Sequence, residues 1–401
     1  MVSTRVSLAR WYTHPMQEGR LSEQTIQAIH KSGSLNKLVI AMAGNGTQAI
    51  SELMRYGNGS ATLLSQHLLY DNAAFANYIG GKPDKYVSAH ASRQLAMAAY
   101  MESLKIAGGK YPTVGIGGTS SLVKPDGERD GREHLIFVST QDALHTHTIS
   151  IKLDTSLNRS RVQEEWINAM VILQAIAAAR GVTVNNQLTP SDLVYAESNA
   201  QPNQTLSDVV HGIRPFYFPG GESLNKSMVI CSGSFNPLHE AHITLLKLGE
   251  TITGLRGIFE LSITNVDKPP LDFIEIEKRM SQFEKQSLPL ILTNQPRYFG
   301  KTKIFAKGSV FVMGSDTFER VVDGRYYDKT ETPIALFESL GTRFIVAARK
   351  GGDDTVLTGE AIIKSTRDPA RWAAITTCIS PDDFLMDVSS TKIRSANNSE
   401  G

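Results

Sequence analysis

Cysteine is nearly missing: Cys231 and Cys378 are the two in 401 residues. That excludes a disulfide framework and a multi-cysteine zinc site, and it fits a reducing compartment. No apolar run approaches the roughly 20 residues a membrane span needs, and the N-terminus lacks the apolar core of a secretory signal. A cytoplasmic location is therefore expected. Organelle import is the alternative, because Met1 to Gln17 carries Arg5 and Arg10 and no acid. An excess of charge is missing too, with 41 Lys and Arg against 40 Asp and Glu. Without a broad field to hold nucleic acid or an anionic membrane, neither is expected as a partner, and any anion has to be bound by a local site. No repeat of solenoid period is visible.

What is present divides in two, as expected for a chain longer than one hydrophobic core comfortably serves. In the first half, 20–181, apolar strand-like runs alternate with helical patterns. Leu38 to Ala43 reads as a strand, Gly44-Asn45-Gly46 as a plain tight turn, and Thr47 to Arg55 as a helix. Ser88 is placed to cap a helix that ends at Gly108-Gly109, and Ser160 to start another that ends at Gly181. Strands are expected from Thr113, His134 and Thr146. Residues 182–225 shift to Asn, Gln, Ser, Pro and Gly with little periodicity and read as a linker. The second half, 226–401, opens with a strand at Ser227 to Ser232, a turn, and a helix through Leu245 and Leu248. Later strands are expected at Gly257, Leu288, Val310 and Phe344. An α/β fold in both halves follows, the second a mainly parallel, doubly wound sheet whose ligands bind beyond the carboxyl ends of its strands.

Two motifs fall at such ends. Gly233-Ser234-Phe235-Asn236-Pro237 forms a bend into His239-Glu240-Ala241-His242, where two imidazoles three apart share one face of a helix start. A helix start also brings partial positive charge and N–H groups to an anion. Near the C-terminus, Ser389-Ser390-Thr391-Lys392-Ile393-Arg394 combines hydroxyls with an arginine at a second helix start. Alone, each has a plainer reading: two histidines three apart are usually coincidental, and Ser389 with Ser390 is an ordinary cap. Zinc is disfavoured because the i, i+4 spacing of His-Glu-x-x-His and a third ligand are both missing, so no metal held by protein side chains is expected. Asp316 serves equally as a helix cap, and Lys268-Pro269-Pro270 reads as an exposed turn.

Together, in this order, the residues resemble the nucleotidyltransferase superfamily marked by His-x-Gly-His and Ile-Ser-Ser-Thr-x-x-Arg. Within it they are most similar to nicotinamide-mononucleotide adenylyltransferases, over roughly Met228 to Arg394. Lys268-Pro269-Pro270, the helix Glu275 to Phe283 and Met313-Gly314-Ser315-Asp316 add to the likeness. Ala241 stands where the superfamily has glycine. Val321 to Lys329 holds no tryptophan, where these enzymes place an aromatic against the nicotinamide ring; Tyr298, Tyr326 and Tyr327 are the aromatics at hand. The resemblance implies transfer of a nucleotidyl group from a nucleoside triphosphate, ATP foremost, to nicotinamide or nicotinate mononucleotide, with Mg²⁺ as cofactor. His239, His242 and Arg394 would be catalytic. Gly233, Ser234, Phe235, Asn236, Lys268, Gly314, Asp316, Ser389, Ser390 and Thr391 would bind nucleotide. The alternatives are a cytidylyltransferase acting on a small phosphorylated alcohol and a nucleotide-binding regulatory protein without turnover.

The first half resembles the CinA C-terminal family, whose active members deamidate nicotinamide mononucleotide. The likeness rests on Ala41 to Leu53, Asn58 to Asn72, Gly115-Ile116-Gly117-Gly118 and Asn158-Arg159. Ala43 takes the place of that family's nucleophilic serine and Phe75 that of its lysine, so a domain without deamidase activity is expected. Tyr70, Asn72 and Arg159 remain as ligand contacts that the resemblance implies. The reading leaves room for a homo-oligomer formed through this domain.

Overall fold

The structure is a computed structural model and describes residues 23–124, 131–184, 193–221, 224–265, 268–327, 333–350 and 355–386. It separates into two compact units. The first ends at Asn203 and takes in the segment up to Ile274 that follows Val266; the second comprises 204–266 and everything from Glu275 onward.

In the first unit the elements run α1 (Glu23–Lys31), β1 (Lys37–Ala43), α2 (Thr47–Met54), β2 (Leu63–Leu68), α3 (Asn72–Tyr78), α4 (Ala89–Ala107), β3 (Thr113–Ser121), β4 (His134–Gln141), β5 (Thr146–Leu153), α5 (Arg161–Ala179) and β6 (Leu193–Ala200). They form a sheet of order β2-β1-β3-β4-β5-β6. β1 runs parallel to β2 and β3, and the remaining pairs are antiparallel. Leu38 to Met42 are all buried, as in a strand covered on both faces. Leu38, Ile40 and Met42 join the cluster that includes Met170 and Leu173 of α5; Val39 and Ala41 join Leu95 and Ala99 of α4. That division is the period of two expected of a strand. α4 presses so closely on β3 that a Cβ at Gly115 would lie 2.1 Å from Ala96 O, and one at Gly117 2.1 Å from Ser92 O. Glycine is therefore required at both positions.

Helix ends fall where local chemistry puts them. The Ser88 hydroxyl accepts from Ala91 N–H at 3.1 Å, and Gly108 ends α4 with φ 55°. Ser160 and Gln163 form a capping box at the start of α5. The described residues of the stretch read as a linker carry regular elements: β6 in the first unit, and α6 (Gln204–Val210) and β7 (Phe216–Tyr217) in the second. β6 pairs with β5 at the sheet edge, and Val194 to Asn199 are exposed on both faces, so no alternation marks this strand in the sequence.

The second unit continues with β8 (Val229–Gly233), α7 (Glu240–Thr253), β9 (Gly257–Ser262), α8 (Phe273–Glu284, of this unit from Glu275), β10 (Leu290–Thr293), α9 (Tyr298–Lys301), β11 (Val310–Gly314) and α10 (Ser315–Val322). There follow α11 (Pro333–Ser339), β12 (Arg343–Lys350), β13 (Val356–Leu357), α12 (Gly359–Ser365), α13 (Pro369–Ile375), β14 (Thr376–Ile379) and β15 (Leu385–Met386). The sheet order is β13-β12-β11-β8-β9-β10-β7, with β14 and β15 also on β12. Strands β8 to β12 are mutually parallel. The chain adds β9 and β10 on one side of β8, then β11 and β12 on the other, so the order reverses between β8 and β11. Such a reversal opens the crevice in which doubly wound sheets bind ligands. Behind β12, Trp372 packs on Phe318, Phe337 and Phe344 with ring centroids 5.9, 6.0 and 6.1 Å away.

Candidate active site

β8 and β11, the strands flanking the reversal, end at Gly233 and Gly314, and β12 ends at Lys350. From Gly233 the chain turns through Ser234, Phe235 (φ 46°) and a cis Asn236-Pro237 bond to His239, the residue that begins α7. A Cβ at Gly233 would lie 2.9 Å from the Phe235 ring, which explains glycine there. That ring is buried and meets His242, Phe259 and Phe283 edge to face at 5.1, 5.5 and 5.1 Å. Its side chain therefore serves the site by packing the turn.

The His239 and His242 rings stack with centroids 3.7 Å apart and planes 21° from parallel. His239 backbone N–H donates to His242 Nδ1 at 3.3 Å, which assigns the His242 proton to Nε2. Burial, then His239, then the Arg349 guanidinium push the His242 pKa down to about 3. Burial and Arg349 also hold His239 below its ordinary value. Both rings are thus neutral at physiological pH. Among the described residues, His239 Nδ1 and Asp316 Oδ1 have no hydrogen-bond partner although the atoms are buried. The other Asp316 oxygen, in the first turn of α10, accepts from Arg349 at 2.7 Å.

Arg349 at the end of β12 is the functional candidate that sequence reasoning passed over. Its signal was a basic pair, Arg349-Lys350, directly after the apolar run Phe344 to Ala348. His239, His242, Gly233, Ser234, Asn236, Gly314 and Asp316 all sit on the ends of β8 and β11 or the segments that follow them. Lys268 belongs to the first unit, where its Cε lies 2.8 Å from the position of a Cβ on Gly81. Ser389, Ser390, Thr391 and Arg394 lie outside the described residues. Of the tyrosines considered for ring stacking, Tyr298 packs on Phe311 at 5.2 Å with Lys301 Nζ 4.9 Å from its centroid, and the Tyr327 hydroxyl donates to Val321 O at 2.6 Å. Tyr326 is exposed. No group of three or more His, Cys, Asp or Glu among the described residues could hold a metal ion.

The first unit has a strand, turn and helix of its own at β1 and α2, occupied from within. Gly46 N–H donates to Glu165 Oε1 at 2.7 Å. Asn45 Nδ2 donates to Ser120 Oγ at 2.9 Å, and Arg161 donates to Asn45 Oδ1 and, at 3.0 Å, to Val123 O. Ala43 ends β1 with a methyl group, and Phe75 is a buried ring 5.3 Å from Tyr86. Tyr70 is 79% exposed, and Arg159 donates to Asp154 O at 3.0 Å.

A doubly wound sheet with paired imidazoles, a guanidinium and a helix start at its switch point is the layout of a nucleotide-binding α/β domain. Residues 230–396 match the family model described as cytidylyltransferase-like, which places the C-terminal half with the nucleotidyltransferase superfamily. No curated protein matches the chain. Solved CinA-family structures match its N-terminal region. A competence/damage inducible protein, CihA, from Agrobacterium tumefaciens is 14% identical, with 39% of this chain and 93% of that one covered and a TM-score of 0.31. A CinA-superfamily protein from Escherichia coli is 13% identical, with 40% and 93% covered and a TM-score of 0.29.

Proposed function

We propose that the second unit transfers a nucleotidyl group, adenylyl from ATP, to nicotinamide or nicotinate mononucleotide and releases pyrophosphate. The observation that carries this reading is the stacked, neutral His239–His242 pair at the start of α7, with Arg349 and Asp316 on the neighbouring strand ends. An oxygen of the acceptor phosphate attacks the α-phosphorus. The bond from that phosphorus to the bridging oxygen breaks, and pyrophosphate leaves with the electron pair. A phosphate is already ionised at neutral pH, so no general base is needed; positioning and charge stabilisation supply the rate. His242, with its proton on Nε2, is a preorganised neutral donor to the α-phosphate. Arg349 exchanges its Asp316 partner for phosphate oxygens, which a guanidinium can bind with two parallel hydrogen bonds. Ser390, Thr391 and Arg394 are proposed for the outer phosphates. Mg²⁺ would be held largely by the triphosphate's own oxygens, with Asp316 the carboxylate that could add to them, and would supply neutralisation of phosphate charge.

One observation favours the second reading, a cytidylyltransferase acting on a small phosphorylated alcohol: Tyr298 is packed edge to face with Phe311 and has Lys301 Nζ 4.9 Å from its centroid, which leaves little of its ring for a nicotinamide. Chromatography of reactions with ATP and either mononucleotide, beside CTP and phosphorylated alcohols, separates the two. A dinucleotide product supports the first; product only from CTP overturns it. The first unit is proposed to lack deamidase activity, because Ala43 has no attacking group and Phe75 no amine; ammonia release from nicotinamide mononucleotide would contradict this.

A further inference from the structure

We infer that Gln282 is a positioning residue for the proposed transfer, holding the turn that carries His239 and His242 in its working shape. The inference rests on the reading of these histidines as the reacting site. Gln282 lies on α8 and uses both ends of its amide: Nε2 donates to Phe235 O at 3.0 Å, and Oε1 accepts from Leu238 N–H at 2.8 Å. One side chain thus spans the turn from Phe235 to Leu238. One helical turn earlier, Arg279 donates to Ser234 O at 2.9 Å and is itself held by Glu275 Oε1 at 2.9 Å. Phe283, the next residue, packs its ring on Phe235 at 5.1 Å. A single helix therefore grips Ser234, Phe235 and Leu238.

The turn needs such a grip. Phe235 is a bulky residue at φ 46°, a left-handed conformation that persists only when the surroundings hold it. The Leu238 N–H fixes the Pro237–Leu238 peptide, one peptide before His239, and His239 N–H in turn sets the His242 ring by donating to Nδ1. If Leu238 loses its acceptor, the next peptide can rotate, and His242 loses the contact that keeps its proton on Nε2. An amide suits the place because donor and acceptor are both required. Glutamate supplies the acceptor alone, methionine neither.

The test uses the full chain with Gln282→Met and Gln282→Glu, ATP with Mg²⁺ and nicotinamide mononucleotide as probes, and ¹⁵N imidazole spectra. Gln282→Met should lower kcat by about tenfold or more, the scale on which small misplacements act, with KM for ATP changed by less than about threefold. His242 should shift from one tautomer to a mixture. Gln282→Glu, which keeps the Leu238 bond, should retain the tautomer and lose less of kcat. A merely structural role would change the melting temperature and leave the tautomer alone. Wild-type kcat with an unchanged His242 spectrum in Gln282→Met overturns the inference. Should that variant not fold, Gln282→Glu decides: a kcat equal to wild type overturns it, and a reduced one supports it. If the wild-type protein makes no product from these probes, the reaction assignment fails, and the tautomer comparison alone decides on Gln282.

Discussion

At the start of α2, the Gly46 N–H is taken at 2.7 Å by the chain's own Glu165 carboxylate, and Asn45 is tied to Ser120 and Arg161. At the start of α7, two neutral imidazoles face a guanidinium, and among the described residues His239 Nδ1 has no partner. A helix start attracts an anion because its N–H groups and dipole present partial positive charge. Where the protein supplies that anion itself, a second one is repelled. Where it sets a guanidinium beside neutral rings and holds it with one carboxylate, Asp316, a phosphate can take that carboxylate's place. Similar local sequences, a strand, a glycine turn and a helix, thus lead to a closed site in one unit and an open one in the other. Side chains from distant elements, Glu165 and Arg349, make the difference.

The largest expected effect comes from the open site. His242→Ala should lower turnover by about a hundredfold or more with the circular dichroism spectrum unchanged, because a donor aimed at developing charge is removed. Normal turnover would show that the imidazole pair is not the reacting site. Next, Arg349→Met should raise the KM for triphosphate by about tenfold, the loss of one charge-assisted contact. Since Arg349 depresses both imidazoles, the same variant should raise the pKa of His239 and His242 in ¹⁵N titrations. Unmoved titrations would place Arg349 away from the pair.

The pair also ties stability to pH. In the unfolded chain His242 takes up a proton below its ordinary value of 6.5, whereas in the folded unit it does so only near 3. Between those values the unfolded state binds more protons, so stability of the second unit should fall as pH drops through that window and be level above it. Urea melts at about pH 7 and about pH 5 measure this, and equal midpoints would contradict the burial of a neutral ring. The smallest effect belongs to the closed site. Glu165→Ala should cost the first unit about 1–3 kcal/mol by leaving the Gly46 N–H unpaired, with pyrophosphate release unchanged. A loss of release would give the first unit a part in catalysis that the comparison denies it.

How much of this was legible depended on distance along the chain. Ser88, Gly108 and Ser160 act as read, because a cap is made within a few residues. The turn from Gly233 to His242 was equally readable. Arg349 was not, because its meeting with Asp316 follows from β11 and β12 pairing in a sheet whose order the sequence does not spell out. The place of the Lys268 segment was not legible for a related reason: it belongs to the first unit, where Asp272 pairs with Arg93 at 3.0 Å and Phe273 N–H donates to Thr146 at 3.0 Å. Both are long-range contacts between residues of ordinary local appearance. β6 was missed because a strand exposed on both faces has no alternation to read.

The most direct measurement is pyrophosphate release by the full chain with each of the four nucleoside triphosphates, Mg²⁺ and a panel of phosphorylated acceptors, wild type beside His242→Ala. The account predicts release from ATP that requires nicotinamide or nicotinate mononucleotide and is lost in the variant. No release from any pair, or release that His242→Ala leaves intact, would contradict it.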